Sequence, residues 1–247
     1  MAGMRKSGVV GLVTWAWVSN IASAGVIIVP NGSFELPQLA AAPPYAGSTI
    51  DVWQKAPVPA WWAGAGYSSD QWRDAGGVFV NVDPTYNTPI DNVDGNQVGF
   101  MFSPPGYELF QELTDTFEAG QAYQLLVGVQ GGGYGMQLDV PMAIGLYYVD
   151  DTGARVTIGS TLAPNTNPTA DQTHLTDYQL DLPVVRAADA WAGKSIGIQL
   201  YSAATFANTG GFWVFDNVRL TSAVPEPASA VLAAVAALGV TTRRRKK

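Results

Sequence analysis

Side chains that could carry out thiol-based or zinc-dependent catalysis are scarce in this sequence of 247 residues. Cysteine is absent, and the single histidine, His174, stands among Gln172, Thr173 and Leu175 without a second His or Cys. Zinc sites need several such ligands, and a lone histidine is usually structural or exposed. The sequence therefore gives no positive sign of a nucleophilic or zinc-dependent enzyme.

Carboxylates are more numerous, and two pairs have the residue type that glycoside hydrolysis requires, namely Asp91 with Asp94 and Glu108 with Glu112. Their spacing along the chain does not set their separation in a folded β-protein. The segment 91–96 is also typical of a turn or of a loose cation site. It lacks the full pattern of an EF-hand calcium loop. A glycan-cleaving enzyme is therefore only an alternative, and the prediction is that the chain is not an enzyme.

A stretch rich in proline, glycine and aromatic residues extends from residue 43 to residue 77. Aromatic faces can stack on the C–H groups of sugar rings, and polar contacts could come from Asp51, Gln54, Asp70 and Gln71. In the other interpretation, the same rings fold this loop onto the body of the protein as a small secondary core. The residues predicted to bind a sugar ligand are Trp53, Trp61, Trp62, Tyr67 and Trp72.

These side chains must be positioned by strands, since segments of alternating apolar and polar residues recur along the chain and no long amphipathic helix is evident. Turn sequences such as Asp150-Asp151-Thr152-Gly153 separate them. Nine or ten strands predict an all-β fold, an antiparallel β-sandwich with jelly-roll topology. The residues of the last strand predicted to face one way are Phe212, Val214, Asp216, Val218 and Leu220.

Three short motifs in the predicted sandwich, at residues 31–35, 119–123 and 215–220, resemble those of galactose-binding-like jelly rolls, notably the family 4, 9 and 22 carbohydrate-binding modules. The resemblance implies that the first and last strands meet and that a structural calcium ion lies between them. It assigns Glu35 and Asp216 as carboxylate ligands, with backbone oxygens from the region of Asn31 and Gly32. Calcium prefers several hard oxygen ligands. Alternatively, Asp216 accepts backbone hydrogen bonds at the end of a strand.

Both ends of the chain have the composition of sorting segments rather than of the fold. The N-terminus has cationic Arg5 and Lys6, an apolar stretch over Val9–Val18 and small residues near position 24, which is typical of a signal peptide. The C-terminus has an uncharged run over Ala228–Thr242 and then five Arg and Lys residues. The predicted domains are a signal peptide over 1–24, a β-sandwich ectodomain over 25–223 and a sorting segment with a transmembrane helix over 224–247.

The C-terminal segment resembles the PEP-CTERM sorting signal of Gram-negative bacteria, with Pro225, Glu226 and Pro227 as its motif. The resemblance implies that an exosortase-type protease recognises this motif and removes the helix that follows. The precursor would then be tethered to the inner membrane through that helix, and the product would reach the cell surface or the extracellular matrix. Proteins with this signal are often associated with biofilm formation.

The predicted ectodomain is strongly acidic, with six Lys and Arg against nineteen Asp and Glu and a net charge of −13. Such a surface repels nucleic acids, so no nucleic-acid partner is expected. The sequence therefore predicts an exported, surface- or matrix-associated, non-catalytic protein that binds extracellular polysaccharide. The alternative is a purely structural biofilm protein without a specific ligand.

Overall fold

Strands account for most of the regular structure in the computed structural model, which describes residues 24–40, 45–81, 89–133, 135–166 and 173–224. Two short helices, α1 (Ala60–Gly64) and α2 (Ser69–Arg73), lie between the third and fourth strands. The strands in these ranges are β1 (Ala24–Ile27), β2 (Ala46–Gly47), β3 (Gln54–Lys55), β4 (Gly76–Val80), β5 (Gln97–Phe102), β6 (Glu108–Thr116), β7 (Ala122–Gly133), β8 (Pro141–Val149), β9 (Arg155–Pro164), β10 (Thr176–Leu182), β11 (Ser195–Ser202) and β12 (Phe212–Ala223).

The strands form two antiparallel sheets. The seven-stranded sheet has the order β10-β7-β12-β5-β4-β2, with β1 also paired to β12, and the five-stranded sheet has the order β3-β6-β11-β8-β9. Ala24 of the first strand lies opposite Ala223 of the last, as the resemblance to jelly rolls implied. The predicted all-β antiparallel sandwich is therefore confirmed.

The predicted helices at the two ends lie outside the described residues, apart from Ala24 and Val224 at their borders. Within the described part of the chain, neither short helix has the length and apolar character needed to cross a membrane. The signal peptide and the sorting helix therefore stay predictions.

The core lies between the inner faces of the two sheets, where the inward-facing residues of the long strands are buried. In β7 the alternation is regular, and Tyr123, Leu125, Val127 and Val129 are all buried in it. This is the face that the sequence pattern of the strand indicates, because successive side chains of a strand point to opposite sides.

The last strand departs from that regularity, and the prediction that its alternate residues share one face is wrong. Val214 packs in a small cluster outside the main core, whereas Val218 and Leu220 belong to the core itself. The strand changes faces at Asn217, which has a φ of 56° at a shift of register against β7. A β-bulge inserts an extra residue and so resets the alternation. Asp216, which precedes it, therefore lies on the same outer face as Val214.

Gly99 on β5 lies at a position where the core is closely packed. A methyl group there would lie 2.2 Å from the Phe215 ring, so Gly99→Ala should lower the free energy of unfolding by about 2 kcal/mol. Gly159→Ala is the matched control, since its methyl group would meet no atom closer than 3.5 Å. Urea denaturation measures both variants, and equal stability of the two would contradict this description of the core.

Candidate active site

Three segments that are distant in sequence meet at one end of the sandwich: residues 60–75, 102–105 and 206–211. The first contains both helices, and α2 begins with a reciprocal cap. The backbone N–H of Gln71 donates to Ser68 Oγ, and the N–H of Ser68 donates to Gln71 Oε1. Such a capping box fixes where a helix starts. The helix therefore holds its aromatic neighbours in a defined position.

The three segments line an open cavity of about 560 Å³, here called the aromatic bowl. This volume is in the range of about 300–1,000 Å³ that small-molecule sites occupy. Its principal lining residues are Trp61, Trp62, Tyr67, Phe102, Phe206 and Asp74.

The rings of the bowl contact one another mostly at steep angles. The ring centroids of Trp61 and Trp62 are 5.4 Å apart with planes at 78°, and those of Trp61 and Phe206 are 4.9 Å apart at 86°. Trp62 is also 4.6 Å from Tyr67 and donates from Nε1 to the Ser68 carbonyl oxygen at 2.8 Å. These contacts give the bowl a fixed shape.

The floor beneath these rings is Trp72, which is only 2% exposed. Its ring lies 5.1 Å from that of Trp62 and 5.0 Å from that of Tyr107, and its Nε1 donates to the Ala56 carbonyl oxygen at 2.8 Å. Trp72 and Tyr107 both belong to the main core. The bowl is therefore an extension of the core rather than an independent surface loop.

Lys55 fastens the segment that carries the bowl. Its ammonium group donates to the carbonyl oxygens of Ser48, Arg73 and Gly76, the last two at 2.5 and 2.6 Å. Burial lowers the pKa of Lys55 to about 8, although nearby Asp74 opposes the shift. A single cation thus holds a loop, the end of α2 and the start of β4 together.

Asp74 is the acidic residue among those that line the bowl. Its side chain is 53% exposed, and its Oδ1 accepts a hydrogen bond from Arg73 Nε at 3.2 Å. Two other polar groups of the bowl have partners: Gln71 Oε1 accepts a hydrogen bond in the helix cap, and Ser103 Oγ donates to the Gly210 carbonyl oxygen at 2.9 Å. Asp74, the carboxylate among the lining residues, is the candidate for acid–base chemistry in the bowl.

The five aromatic residues predicted to bind ligand divide into two groups. Trp61, Trp62 and Tyr67 line the bowl, whereas Trp53 and Trp72 are 5% and 2% exposed and pack in the main core. Both interpretations of the stretch thus describe part of it, and ligand binding by these residues stays a prediction. Sequence reasoning missed Asp74, Phe102 and Phe206, since nothing local in the sequence indicates that these segments meet.

One acid of each pair suggested for glycan cleavage, Glu108 and Asp91, has another partner. Both oxygens of Glu108 accept hydrogen bonds from the Arg155 guanidinium at 2.7 Å, and that group lies 3.7 Å above the centre of the Phe110 ring. This ion pair joins β6 to β9 across the two strands between them. Burial raises the pKa of Glu108, while its hydrogen bonds with Arg155 oppose the shift. Asp91 lies on the surface, 3.7 Å from His174.

One Gly-x-Ser-x-Gly sequence, at residues 193–197, also proves to be part of a strand. Ser195 is the first residue of β11 and pairs with Thr116 of β6. A nucleophilic serine of this motif sits on a turn between a strand and a helix. The sequence at 193–197 therefore does not form a nucleophile elbow.

The predicted calcium ligands Glu35 and Asp216 both bind the backbone of one loop. Asp216 Oδ2 accepts from the N–H of Asp94 at 2.6 Å, and Glu35 Oε1 accepts from those of Asn96 and Gln97 at 2.8 and 2.7 Å. Asp216 therefore does accept a backbone hydrogen bond, as the alternative supposed. Within the described ranges, no group of three or more His, Cys, Asp or Glu side chains is arranged to hold a metal ion.

One atom of this arrangement is unexplained. Asp216 is fully buried, and its Oδ1 has no hydrogen-bond partner. Burial raises the pKa of Asp216 to about 7, although the N–H of Asp94 opposes the shift. The Gly32 carbonyl oxygen, expected near a metal, instead accepts from the N–H of Val218 at 2.8 Å. The two carboxylates are thus the groups suited to bind a cation. Asp216 supplies a buried oxygen, Oδ1, that has no hydrogen-bond partner.

Removing the ammonium group of Lys55 should loosen the segment that carries the bowl. Lys55→Met leaves three carbonyl oxygens without their donor, so the free energy of unfolding should fall by about 2 kcal/mol or more. Lys194→Met is the control, because Lys194 makes an exposed ion pair with Asp151 and such pairs contribute little. Urea denaturation followed by tryptophan fluorescence measures both variants, and an unchanged midpoint for Lys55→Met would contradict the assigned role.

Comparison with known proteins identifies the family of this chain. Residues 26–221 match the HpiC1-like family, described as HpiC1 cyclase. No curated protein sequence matches this chain significantly.

Two solved cyclase structures share the fold at low sequence identity. The Stig cyclase Fisc from Fischerella sp. TAU, in complex with (3Z)-3-(1-methyl-2-pyrrolidinylidene)-3H-indole, has a TM-score of 0.60 and 19% identity, covering 83% of this chain and 100% of that one. A cyclase from Fischerella sp. TAU with bound 4-(1H-indol-3-yl)butan-2-one has a TM-score of 0.57 and 19% identity, covering 82% and 99%. The CBM22-1 xylan-binding domain of Paenibacillus barcinonensis Xyn10C has a TM-score of 0.40 and 13% identity, covering 62% and 83%.

The family match corrects the functional predictions. The expectations of a non-catalytic polysaccharide-binding protein, of a purely structural matrix protein and of a chain that is not an enzyme are wrong, and the comparisons give no support to a glycan-cleaving enzyme. Of the three motifs that suggested sugar binding, residues 31–35 lie in a turn after β1, residues 119–123 lead into β7 and residues 215–220 lie in β12. They therefore belong to the framework of the β-sandwich, and one framework can host many functions. From residues 26 to 221, this chain belongs to the HpiC1-like cyclase family.

Proposed function

We propose that this chain catalyses the cyclisation of a largely apolar substrate that has an aromatic ring, and that the reaction takes place in the aromatic bowl. The observation that carries the proposal is a cavity of about 560 Å³ with aromatic walls and an acidic lining residue, in a member of a cyclase family. Both Fischerella proteins described above are in complex with indole compounds. An indole or a similar flat bicyclic ring is therefore the substrate class that we propose.

The chemistry of a cyclisation suits such a site. Joining two carbon atoms of one molecule exchanges a π bond for a σ bond, so no second substrate is consumed. The protein has to fold a flexible substrate into a reactive conformation and keep water away from it. A nucleophilic side chain is not required. The aromatic walls of the bowl provide the shape and the apolar surroundings.

Charge that develops during ring closure also needs stabilisation, which is commonly the largest contribution to catalysis. The negative faces of Trp61 and Trp62 attract positive charge on the substrate. Asp74 lines the same cavity and is the residue we assign to hold or return a proton. Neither Gln71 nor Ser103 suits this role, because each is committed to a structural hydrogen bond.

The proposal is tested with a panel of indoles that carry an alkene side chain at carbon 3. Incubation with the protein should convert at least one of them into an isomer of unchanged mass that has lost an alkene signal, detected by mass spectrometry and NMR. Trp62→Leu should lower kcat/KM for that compound about tenfold or more, which corresponds to about 1.4 kcal/mol.

Trp191→Leu is the matched control for this experiment. Trp191 is also a half-buried tryptophan that packs on the core, but it does not line the bowl. Its substitution should leave kcat/KM nearly unchanged. Recovery of every indole unchanged, or an equal loss in the two variants, would contradict the proposed function.

We further propose a structural calcium ion held by Asp216 and Glu35. The fully buried Asp216 Oδ1, which has no hydrogen-bond partner, supports this proposal, because calcium takes oxygen ligands and a buried carboxylate needs a compensating charge. The ion would tie β12 to the loop at residues 94–97. It would stabilise the fold rather than take part in the reaction.

Calcium should therefore raise the melting temperature of the protein, and a chelator should reverse the rise. Asp216→Asn should abolish the response, whereas Asp177→Asn should keep it, because Asp177 is a surface residue paired with Arg219. Differential scanning calorimetry with and without calcium measures the effect. A melting temperature that calcium does not change would rule the ion out.

Export and sorting are proposed on sequence grounds alone. The signal peptide, the Pro225–Pro227 motif and the basic C-terminus would direct the precursor to an exosortase-type protease and the product to the cell surface or matrix of a Gram-negative bacterium. Apart from Ala24 and Val224, the residues concerned lie outside the described ranges.

A further inference from the structure

We infer that the aromatic bowl selects an organic cation, so that the ring substrate of this enzyme carries a protonated or quaternary nitrogen beside its ring. The inference rests on the proposed function in one respect, namely that the bowl is the substrate site. It adds a charge to the substrate class, and the charge follows from the side chains that surround the cavity.

The first argument is the arrangement of the rings. Trp61 stands at 78° to Trp62 and at 86° to Phe206, with centroid distances of 5.4 and 4.9 Å. Rings at such angles face in different directions, and all three line the cavity. Tryptophan faces attract cations within about 6 Å, and aromatic cages recognise ammonium groups.

The second argument is the sign of the charge that lines the cavity. Asp74 is an acid, and the described residues that line the bowl include no Lys, Arg or His. Arg73 is close by, but its positive charge is shared between two carboxylates, because it binds Asp70 at 2.9 Å and Asp74 at 3.2 Å. These three residues together therefore leave one negative charge.

Lys55 is the remaining cation near Asp74, and it does not cancel this charge inside the bowl. It is not a lining residue, and its ammonium group is directed to the carbonyl oxygens of Ser48, Arg73 and Gly76. Those dipoles compensate its charge locally. The surface that a ligand would meet is therefore aromatic and acidic.

The third argument is that several polar groups of the bowl already have hydrogen-bond partners within the protein. Trp62 Nε1 is bound to Ser68, Gln71 caps α2, and Ser103 Oγ is bound to Gly210. A ligand rich in hydroxyl groups would leave many of them unpaired on burial, which is costly. An apolar ring with one cationic group needs only aromatic faces and one carboxylate.

The net charge of the predicted ectodomain acts in the same direction. Residues 25–223 carry a net charge of −13. A protein of this charge attracts cations toward its surface and speeds their association.

Tryptamine and 3-propylindole test the inference, because they differ mainly in a terminal ammonium group against a methyl group. Their binding to the purified protein is measured by isothermal titration calorimetry. Tryptamine should bind about tenfold more tightly, as expected for a cation that contacts both aromatic faces and a carboxylate. Added salt should weaken the binding of tryptamine but not that of 3-propylindole, since salt screens interactions between charges.

Two matched variants locate the effect. Asp74→Asn should reduce the affinity for tryptamine about tenfold and leave that for 3-propylindole unchanged. Asp115→Asn removes the same charge at an exposed residue that neither lines the bowl nor pairs with Arg73, and it should change neither affinity. Because Asp74 is half-exposed, the Asn variant should fold normally, and the retained binding of 3-propylindole verifies this.

The possible results separate the inference from the proposed function. Equal or tighter binding of 3-propylindole, or an unaltered preference in Asp74→Asn, would overturn the inference while the bowl remained the substrate site. If neither compound binds, the inference and the assignment of the bowl both fail. If tryptamine is preferred through Asp74 but no alkenyl indole is cyclised, the inference stands and the proposed reaction fails.

Discussion

The burial of one indole ring, that of Trp72, holds the candidate site together. Its ring contacts Tyr107 on the core side and Trp61 and Trp62 on the other side, and its N–H is bound to the Ala56 carbonyl oxygen. The two helical turns are too short to be stable alone, because isolated helices of fewer than about 12 residues are marginal in water. They persist because Trp72 anchors them to the sandwich and Lys55 binds the carbonyl oxygens around them.

Local patterns were sufficient to predict the sandwich, because strand alternation is visible wherever one face of a sheet is buried. Strand β7, with Tyr123, Leu125, Val127 and Val129 in the core, shows this plainly. The same reasoning failed at Asn217, where a bulge changes the face of the strand without any break in the apolar pattern. A single residue with a positive φ is difficult to recognise in a sequence that otherwise alternates regularly.

The candidate site was predictable only in part, and the reason is distance along the chain. Trp61, Trp62 and Tyr67 stand out because they are clustered in sequence. Asp74, Phe102 and Phe206 complete the bowl only after β4, β5 and β12 have paired, so no local signal indicates them. The enzyme class was missed for a chemical reason, since the search was for nucleophiles and metal ligands, and ring closure requires neither.

The residues that stabilise the two sheets are different from those that line the bowl. The Arg155–Glu108 pair lies across the five-stranded sheet, and Asp216 and Glu35 fasten a loop against the seven-stranded sheet. Each sheet thus carries side-chain interactions that stabilise the fold. The bowl instead depends on three connections at one end of the sandwich, between β3 and β4, between β5 and β6 and between β11 and β12. Related chains could therefore acquire new substrates by exchanging these three connections, while the register of every strand stays the same.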